Sequence, residues 1–390
     1  MHLRSAVRSS PRRVGLLAAL ALPLVAGPAL AARAAGITTP AQRSTWSRTQ
    51  AHLTPEAQER GRYGAGVVVA IVDTWVEATH PDLAGRVLPG ADCATGTCVP
   101  GLAPPDGCDP HGTHVAGIVG SSTWGIAPKA TLLPVRALHG ADEKSCTATP
   151  KAVAAAIDWS VAHGAQIINL SLGADTPGAA SATEITPAIR RATDKGVLVI
   201  AAAGNDDRAS ADAYGGFALV VAATGPTGLL ASYSQHGTGV NLAAPGGDAP
   251  GNACTLTSCV TSDWSDARFA AIEGTSAAAP FVTGAAALLD GSNPGMTRQE
   301  VIDRLETTAH PLRSAGHGLI DIGDALAPLP ARHKLLHPLG AHTVVTTGEA
   351  TPLILASPAA TAPDRRPAAA VAALLVLVVG AGYLRVASKP

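Results

Sequence analysis

The chain has 390 residues, and its 28 Lys and Arg residues nearly balance its 29 Asp and Glu residues, which gives a formal net charge of −1. Hydrophobic residues make up 47% of the chain and charged residues only 15%, a composition that excludes a disordered chain. Because phosphate binding requires concentrated Lys and Arg, the balance of charge gives no reason to expect a nucleic-acid partner.

The N-terminal segment, residues 1–34, has the pattern of a secretory signal peptide. Basic residues precede an uncharged apolar run over residues 15–31, and alanines with Ala-x-Ala spacing follow it. The alternative is an uncleaved membrane anchor, which Pro23 and Pro28 disfavour because they shorten the apolar stretch. We expect a short N-terminal extension, residues 35–64, to follow the signal peptide.

Residues 65–327 form the predicted folded domain, in which apolar runs alternate with helical patterns. The predicted strands are Val67–Val72, Leu132–Ala137, Gln166–Leu172, Val197–Ala202 and Phe217–Ala222. The predicted helices are His111–Val119, Lys151–His163, Thr186–Lys195, Ser276–Leu289 and Thr297–Thr307. Continuous apolar strands that alternate with helices are typical of parallel sheets with both faces covered. The sequence therefore predicts an α/β domain whose mostly parallel sheet has helices on both faces.

Two further segments follow the domain. Regularly spaced prolines and a lack of helical periodicity predict a semi-rigid stalk over residues 328–367. Residues 368–384 carry no charge, and as a helix they would extend about 25 Å, which predicts a transmembrane anchor. A C-terminal core helix is the alternative, disfavoured because the segment has no polar face. With residues 385–390 as a cytoplasmic tail, the pattern predicts an exported protein that is anchored in the cell membrane with its folded domain outside.

The six cysteines suit an exported protein, since an even number outside the cytoplasm favours disulfides. The simplest of the 15 possible connectivities joins neighbours in the sequence. Its pairs are Cys93–Cys98, Cys108–Cys146 and Cys254–Cys259. A zinc site built from the two C-x4-C pairs is the alternative, and the export signal disfavours it.

Three separated motifs supply the residue types of nucleophilic hydrolysis. Asp73 follows a strand in VAIVDTWVEATHPDL, His111 begins HGTHVAGIVG, and Ser276 lies at a helix start in GTSAAAPFVTGAAALL. A hydroxyl is a poor nucleophile unless a base takes its proton; an imidazole can do so, and a buried carboxylate can orient that imidazole. Asn205 closes the strand in AAAGN, where its amide can donate a hydrogen bond to an oxyanion.

These motifs and their order resemble those of the subtilase family of subtilisin-like serine proteases. The similarity extends over about residues 67–326 and includes DWSVAHGAQIINLSLG, ASYSQHGTGVNLAAPG and GHGLIDIGDAL. The resemblance implies a subtilisin-like three-layer α/β fold and an endopeptidase that forms an acyl-enzyme on Ser276. It also implies that His111 is the general base and acid, and that Asp73 orients it.

The resemblance implies further roles around this centre. Asn205 would belong to the oxyanion hole, and a peptide or protein substrate would bind as an extended strand along Ser171, Leu172 and Gly173. Subtilases often hold calcium in loops, but this sequence has no D-x-D-x-D-G run, so we predict no metal and no cofactor. The polar segment 42–62 is expected either to lie across the groove or to wrap around the domain.

The combination of export signal, short extension, stalk and anchor also resembles the mycosins, subtilases of actinobacterial type VII secretion systems. This finer resemblance implies a secretion complex as a partner and the membrane as an attachment site through the C-terminal helix. It leaves a second hypothesis, in which the domain is a scaffold of such a complex with little or no proteolysis. The sequence favours the protease, because a scaffold has no physical need for all four catalytic positions.

Trp75 departs from the family pattern, which usually has Gly two residues after the Asp. A tryptophan with positive φ would be strained by about 1–3 kcal/mol, and its bulk could narrow the groove. The favoured alternative is that the loop has adapted and the ring packs on the surface. We interpret His114 as a structural residue, and Asp109 as a residue that orders the loop before His111.

Overall fold

The strands of the main sheet form at short, continuous apolar runs of the sequence. The computed structural model describes residues 45–101, 103, 105–142, 146–172, 181–209 and 214–328. Its main sheet has eight strands: β1 Val68–Asp73, β2 Ala91–Asp92, β3 Val99–Pro100, β4 Thr131–Arg136, β5 Ile167–Leu170, β6 Leu198–Ala202, β7 Leu219–Thr224 and β8 Leu242–Pro245. They lie in the order β3-β2-β4-β1-β5-β6-β7-β8, and every neighbouring pair is parallel except β2 and β3. The predicted mostly parallel sheet is confirmed.

Helices cover both faces of this sheet. They are α1 Trp46–Gln50, α2 Pro55–Arg60, α3 His111–Gly120, α4 Pro150–Ala162, α5 Thr186–Asp194, α6 Thr275–Ser292, α7 Arg298–Thr308 and α8 Ile322–Ala325. Successive side chains of a strand point to opposite faces. In β1, Val69 and Ile71 therefore belong to the core that includes α3 and α6, whereas Ala70 and Val72 belong to the core that includes α4 and α5. The predicted three-layer arrangement is confirmed.

The sequence did not predict a second, antiparallel pair of strands. These are β9, Val260–Trp264, and β10, Arg268–Ile272, which form a hairpin directly before the helix that begins with Thr275. Strand β9 packs against α3, so the hairpin supports the helix on which His111 lies.

The described part of the N-terminal extension wraps around the domain. Trp46 Nε1 donates to the carbonyl of Cys259 at 3.2 Å, and Gln50 Nε2 donates to the carbonyl of Gly225 at 2.8 Å. Gln58 Nε2 donates to the carbonyl of Gly125 at 2.9 Å. Of the two placements expected from the sequence, these contacts correspond to wrapping and not to a position across the groove.

Three disulfides join Cys93 to Cys98, Cys108 to Cys146, and Cys254 to Cys259. The simplest connectivity predicted from the sequence is therefore confirmed. The alternative zinc site is wrong, because each C-x4-C pair closes on itself.

Several predicted segments lie outside the described residues. They are the signal peptide, the first ten residues of the extension, the stalk beyond Pro328, the anchor and the tail. The described residues all belong to one unit of the chain, Met1–Pro330. None of the helices described is both long enough and apolar enough to cross a membrane.

Candidate active site

The end of β1 and the beginning of α3 bring a carboxylate and an imidazole together. Asp73 is the last residue of β1 and is fully buried, and His111 is the first residue of α3. His111 Nδ1 lies 2.7 Å from Asp73 Oδ1, which also accepts the Thr74 N–H at 2.7 Å. Thr74 Oγ1 in turn accepts the Gly112 N–H at 2.8 Å, so the start of α3 is tied directly to the end of β1.

The first turn of α6 presents the serine hydroxyl to the other side of the imidazole. Ser276 Oγ lies 3.0 Å from His111 Nε2. Gly274, just before α6, has φ 152°, and a Cβ atom there would approach Ser276 Oγ to 3.0 Å. The backbone conformation therefore favours glycine, and a side chain at this position would crowd the Ser276 hydroxyl. A continuous row of hydrogen bonds runs from the buried Asp73 through His111 to Ser276.

The protonation of His111 is set by opposing effects. Burial by itself would lower the pKa of His111, but the charge of Asp73, the hydrogen bond to Asp73 and the charge of Asp109 together raise this pKa from 6.5 to about 9. An ionised carboxylate can only accept hydrogen bonds, so Nδ1 carries the proton that faces Asp73. In the neutral ring Nε2 is then the acceptor, oriented to receive the proton of Ser276.

Asn205 lies where β6 ends and contacts the same first turn of α6. Its Oδ1 accepts both the N–H and the hydroxyl of Thr275, each at 2.9 Å. These two bonds fix the orientation of the amide, so its NH2 group faces away from Thr275, toward Gly274. No described residue accepts the Ser276 N–H at the helix start. Two hydrogen-bond donors, the Asn205 NH2 group and the backbone N–H of Ser276, are therefore available beside the Ser276 hydroxyl. Asn205 is exposed to solvent.

The predicted groove residues at the end of β5 are described only in part. Ser171 and Leu172 are buried, with 5% and 6% of their surfaces exposed, and Gly173 lies outside the described residues. The Ser171 hydroxyl donates to the carbonyl of Ser276 at 2.8 Å. The Ser171 side chain thus supports the first turn of α6 and does not face a groove.

A buried polar network extends this support and was not found from the sequence. Asn169 Nδ2 donates to Ser171 Oγ at 2.8 Å, and Thr283 Oγ1 donates to Asn169 Oδ1 at 2.7 Å. These hydrogen bonds connect the middle of α6 to β5. The sequence does contain a signal for this network, since Asn169 and Thr283 are polar residues inside otherwise apolar segments. Buried polar groups require hydrogen-bond partners, so such residues are expected to contact one another.

The comparisons with known proteins agree with this geometry. The model of the subtilase family matches residues 64–321. Subtilisin BL of Lederbergia lenta is 36% identical over 293 residues, which cover 72% of this chain and 98% of that protein. The alkaline protease of Shouchella clausii is 35% identical over 299 residues, which cover 74% of this chain and 71% of that protein. A solved structure of proteases from Pseudoalteromonas arctica PAMC 21717 superposes with a TM-score of 0.62 at 29% identity, covering 70% of this chain and 93% of that one.

The chain belongs to the subtilase family. It is a subtilisin-like serine endopeptidase with the α/β fold of that family.

Trp75 of this subtilase is neither strained nor at the surface. It is not among the described non-glycine residues with positive φ, and only 8% of its surface is exposed. Its Nε1 donates to the carbonyl of Cys108 at 3.3 Å. The expectation that the ring packs on the surface is therefore wrong, because the loop bound by the Cys108–Cys146 disulfide lies next to it and helps to bury it.

The other polar residues near the centre of the subtilase are structural. His114 is fully buried, and its Nε2 donates to the carbonyl of Val260 at 3.1 Å. Burial, with a smaller contribution from the charge of His111, lowers the pKa of His114 to about 3, so this ring is neutral. Asp109 Oδ1 accepts the His111 N–H at 3.3 Å, which agrees with its predicted ordering of the loop.

Three clusters of potential metal ligands occur among the described residues, all separate from Ser276. They are Cys254, Cys259 and Glu273; His80, Asp82 and Asp263; and His52, Asp321 and Asp324. The two cysteines of the first cluster are joined in a disulfide and are not available as thiolate ligands. The third cluster lies at the surface, where His52 and Asp324 are exposed.

Proposed function

We propose that this subtilase cleaves peptide bonds through an acyl-enzyme on Ser276. The contact of 3.0 Å between Ser276 Oγ and His111 Nε2 carries the proposal. As Oγ attacks the peptide carbonyl, Nε2 takes the hydroxyl proton, and a tetrahedral intermediate forms. His111 then gives that proton to the departing amine as the C–N bond breaks. A water molecule, activated by the same ring, hydrolyses the ester and restores Ser276.

Asp73 acts in this proposal by holding and stabilising the imidazole. Its buried carboxylate lies 2.7 Å from Nδ1, which keeps the tautomer that leaves Nε2 free to accept a proton. When His111 takes the serine proton, the negative charge of Asp73 stabilises the resulting imidazolium. The raised pKa of His111 supports this role, since it reflects the same attraction.

Asn205 and the backbone N–H of Ser276 would stabilise the oxyanion. Preorganised donors are effective because they need no reorientation when charge develops. The two hydrogen bonds from Thr275 to Asn205 Oδ1 supply this preorganisation, since they prevent the amide from turning.

The substrate would be a peptide or protein segment bound as an extended strand along Ser171, Leu172 and Gly173. Their position directly after β5 supports this placement, because the carboxyl ends of parallel strands form the edge at which α/β proteins bind ligands. Since the Ser171 side chain is turned toward Ser276, its contribution to substrate binding would come from its backbone.

Steady-state hydrolysis of a peptide library tests the proposed chemistry. Ser276→Ala is expected to abolish cleavage in a folded protein, because it removes the nucleophile. Ser292→Ala is a matched control, since Ser292 ends the same helix and its hydroxyl bonds only to the carbonyl of Leu289 in the described structure. Equal activity of the Ser276→Ala variant and the parent would disprove the proposed role.

We further propose that the enzyme is exported and anchored in the membrane. The order would be a signal peptide (1–34), an extension (35–64), the catalytic domain (65–327), a stalk (328–367), an anchor (368–384) and a tail (385–390). The support is the charge and hydropathy pattern of the two ends. Deletion of residues 368–384 should release active enzyme from the membrane fraction into the medium, and retention of the deleted form in membranes would contradict the anchor.

A secretion complex is the partner that the predicted stalk and anchor favour. The alternative function is a scaffold with little or no proteolysis. A Trp75 ring that narrowed the groove would favour this alternative, and the buried position of that side chain argues against such narrowing. Ser276→Ala in cells separates the two functions. A scaffold keeps its cellular function in this variant, whereas a protease loses it even though the complex assembles.

A further inference from the structure

A carboxylate between two histidines joins the two ends of the described chain. His52 lies in the connection between α1 and α2, His310 follows α7, and Asp321 directly precedes α8. His52 Nδ1 lies 2.8 and 2.9 Å from the two oxygens of Asp321, and His310 Nε2 lies 2.7 Å from Oδ2. None of these residues contacts the reaction centre.

The burial of this cluster is asymmetric. Asp321 is almost fully buried, whereas 52% of the His52 side chain and 63% of the His310 side chain are exposed. A solvent-borne ion can therefore reach the ring nitrogens, and the carboxylate provides a fixed negative charge beneath them. Exposed imidazoles can also turn without disturbing the core.

The backbone conformation of His52 and the absence of a side chain at Gly323 allow the His52 ring to lie next to Asp321. His52 has φ 51°, a left-handed conformation that residues other than glycine seldom adopt. A side chain at position 323 would meet His52 Nδ1 at 2.7 Å, so Gly323 leaves the space that the ring occupies.

Binding of a single small cation would require the two rings to move closer together. Both ring nitrogens contact Asp321 Oδ2, at 2.9 and 2.7 Å, so they are at most 5.6 Å apart. Ligands of tetrahedral zinc lie at about 2.0–2.1 Å from the ion and about 3.3 Å from one another. To reach this geometry, the two ring nitrogens would approach one another by up to about 2.3 Å, a movement that the exposed His52 and His310 side chains allow. Asp324 could supply a fourth ligand, because ligand atoms of His52, Asp321 and Asp324 lie within 4.8 Å of one another.

We propose that His52, His310 and Asp321 form a zinc-binding site, with Asp324 or water as the fourth ligand. Imidazole nitrogen and carboxylate oxygen are ligands that zinc accepts, and two histidines with one carboxylate leave a position open. The ion would fasten the N-terminal extension to the segment around α8. Its role would be structural, because it binds the folded chain and not the unfolded one.

Titration with Co²⁺, a spectroscopic substitute for Zn²⁺, tests the site directly. The full chain is used without a polyhistidine tag and with Ser276→Ala to prevent self-digestion. We expect one Co²⁺ per chain, visible absorption typical of a tetrahedral ion, and displacement by one equivalent of Zn²⁺. No such absorption, or a stoichiometry of zero, would overturn the proposal.

Ligand variants locate the ion. His52→Asn suits the left-handed backbone, and Asp321→Asn keeps an oxygen that can accept the Asp324 N–H now bound at 2.7 Å. Each variant, and His310→Gln, should weaken Co²⁺ binding by at least about tenfold. His317→Asn is the matched control, because 52% of that side chain is also exposed but it pairs with Glu306. Equal binding by the Asp321→Asn variant and the parent would overturn the proposal.

A thermal readout that does not depend on enzymatic activity completes the test. Zn²⁺ should raise the melting temperature of the parent and of the His317→Asn variant, and a chelator should reverse the rise. The same addition should raise the melting temperature of the His52→Asn variant by clearly less. An equal rise in this variant would place the ion elsewhere and refute the site.

Discussion

The three disulfides close loops of different length, so their removal should cost different amounts of stability. Cys108 and Cys146 are 38 positions apart, whereas the cysteines of each other pair are 5 positions apart. A crosslink stabilises mainly by restricting the unfolded chain, and the restriction grows with loop length. For these separations the chain-entropy relation gives about 4 kcal/mol for the long loop and about 2 kcal/mol for each short one at 25 °C.

The experiment compares double-alanine variants of the three pairs, each with Ser276→Ala to prevent self-digestion. Every variant loses two sulfur atoms. The difference in the free energy of unfolding between two variants therefore depends mainly on loop length, whereas the value for one variant also includes the loss of the sulfur atoms. Guanidinium unfolding should show a free energy of unfolding about 2 kcal/mol lower for the Cys108/Cys146 variant than for the Cys93/Cys98 variant. Equal losses, or a larger loss for Cys93/Cys98, would show that loop length does not set the stabilisation by these disulfides.

Three further predictions concern the reaction centre. Because the proposed mechanism uses the neutral ring as the base, kcat/KM should rise with pH through an inflection at the raised pKa of His111, about 9. Asp73→Asn should move this inflection below pH 6.5 in a pH profile of fluorophosphonate inactivation, since burial then remains to lower the pKa; an unchanged inflection would contradict the assignment. Asn205→Ala should lower kcat by about 10²–10³-fold with little change in KM in peptide kinetics, and a change confined to KM would argue against an oxyanion donor. Trp75→Phe should cost about 1 kcal/mol and Trp75→Gly about 3–5 kcal/mol in urea unfolding, whereas equal effects would contradict the buried packing of the ring.

The sheet was predictable because its strands are buried on both faces. Strands β1, β6 and β7 are runs of Val, Ile, Leu and Ala bounded by polar residues or glycine, so composition alone indicates them. The hairpin β9–β10 was not predicted, since Thr261, Ser262 and Asp263 are polar and are buried only through tertiary contacts. Ser262 donates to the carbonyl of His114 at 2.8 Å, a contact across 148 positions.

The positions of the candidate reaction centre were predictable from the motifs, but their environment was not. Asp73, His111 and Ser276 each lie at the end of a predicted element, and the structure brings them within hydrogen-bonding distance. The burial of Trp75 depends on a loop 33 positions away. The inward orientation of Ser171 depends on α6, 105 positions away. Local patterns contain no information about such contacts.

The histidine cluster shows the same limit at the surface. His52, His310 and Asp321 belong to three segments that share no spacing pattern typical of metal sites. Their approach depends on the wrapping of the extension, which places His52 within 2.8 Å of Asp321 across 269 positions. Only the folded chain shows that these residues form a cluster.

Labelling with a fluorophosphonate, followed by mass spectrometry of the labelled peptide, tests whether Ser276 is an activated nucleophile. The reagent reacts with a serine hydroxyl only where a base has activated it. We predict one phosphonylated residue, Ser276, with labelling lost in the Ser276→Ala variant and kept in the Ser292→Ala variant. A folded parent that remains unlabelled, or a Ser276→Ala variant that labels as strongly as the parent, would show that Ser276 is not the nucleophile.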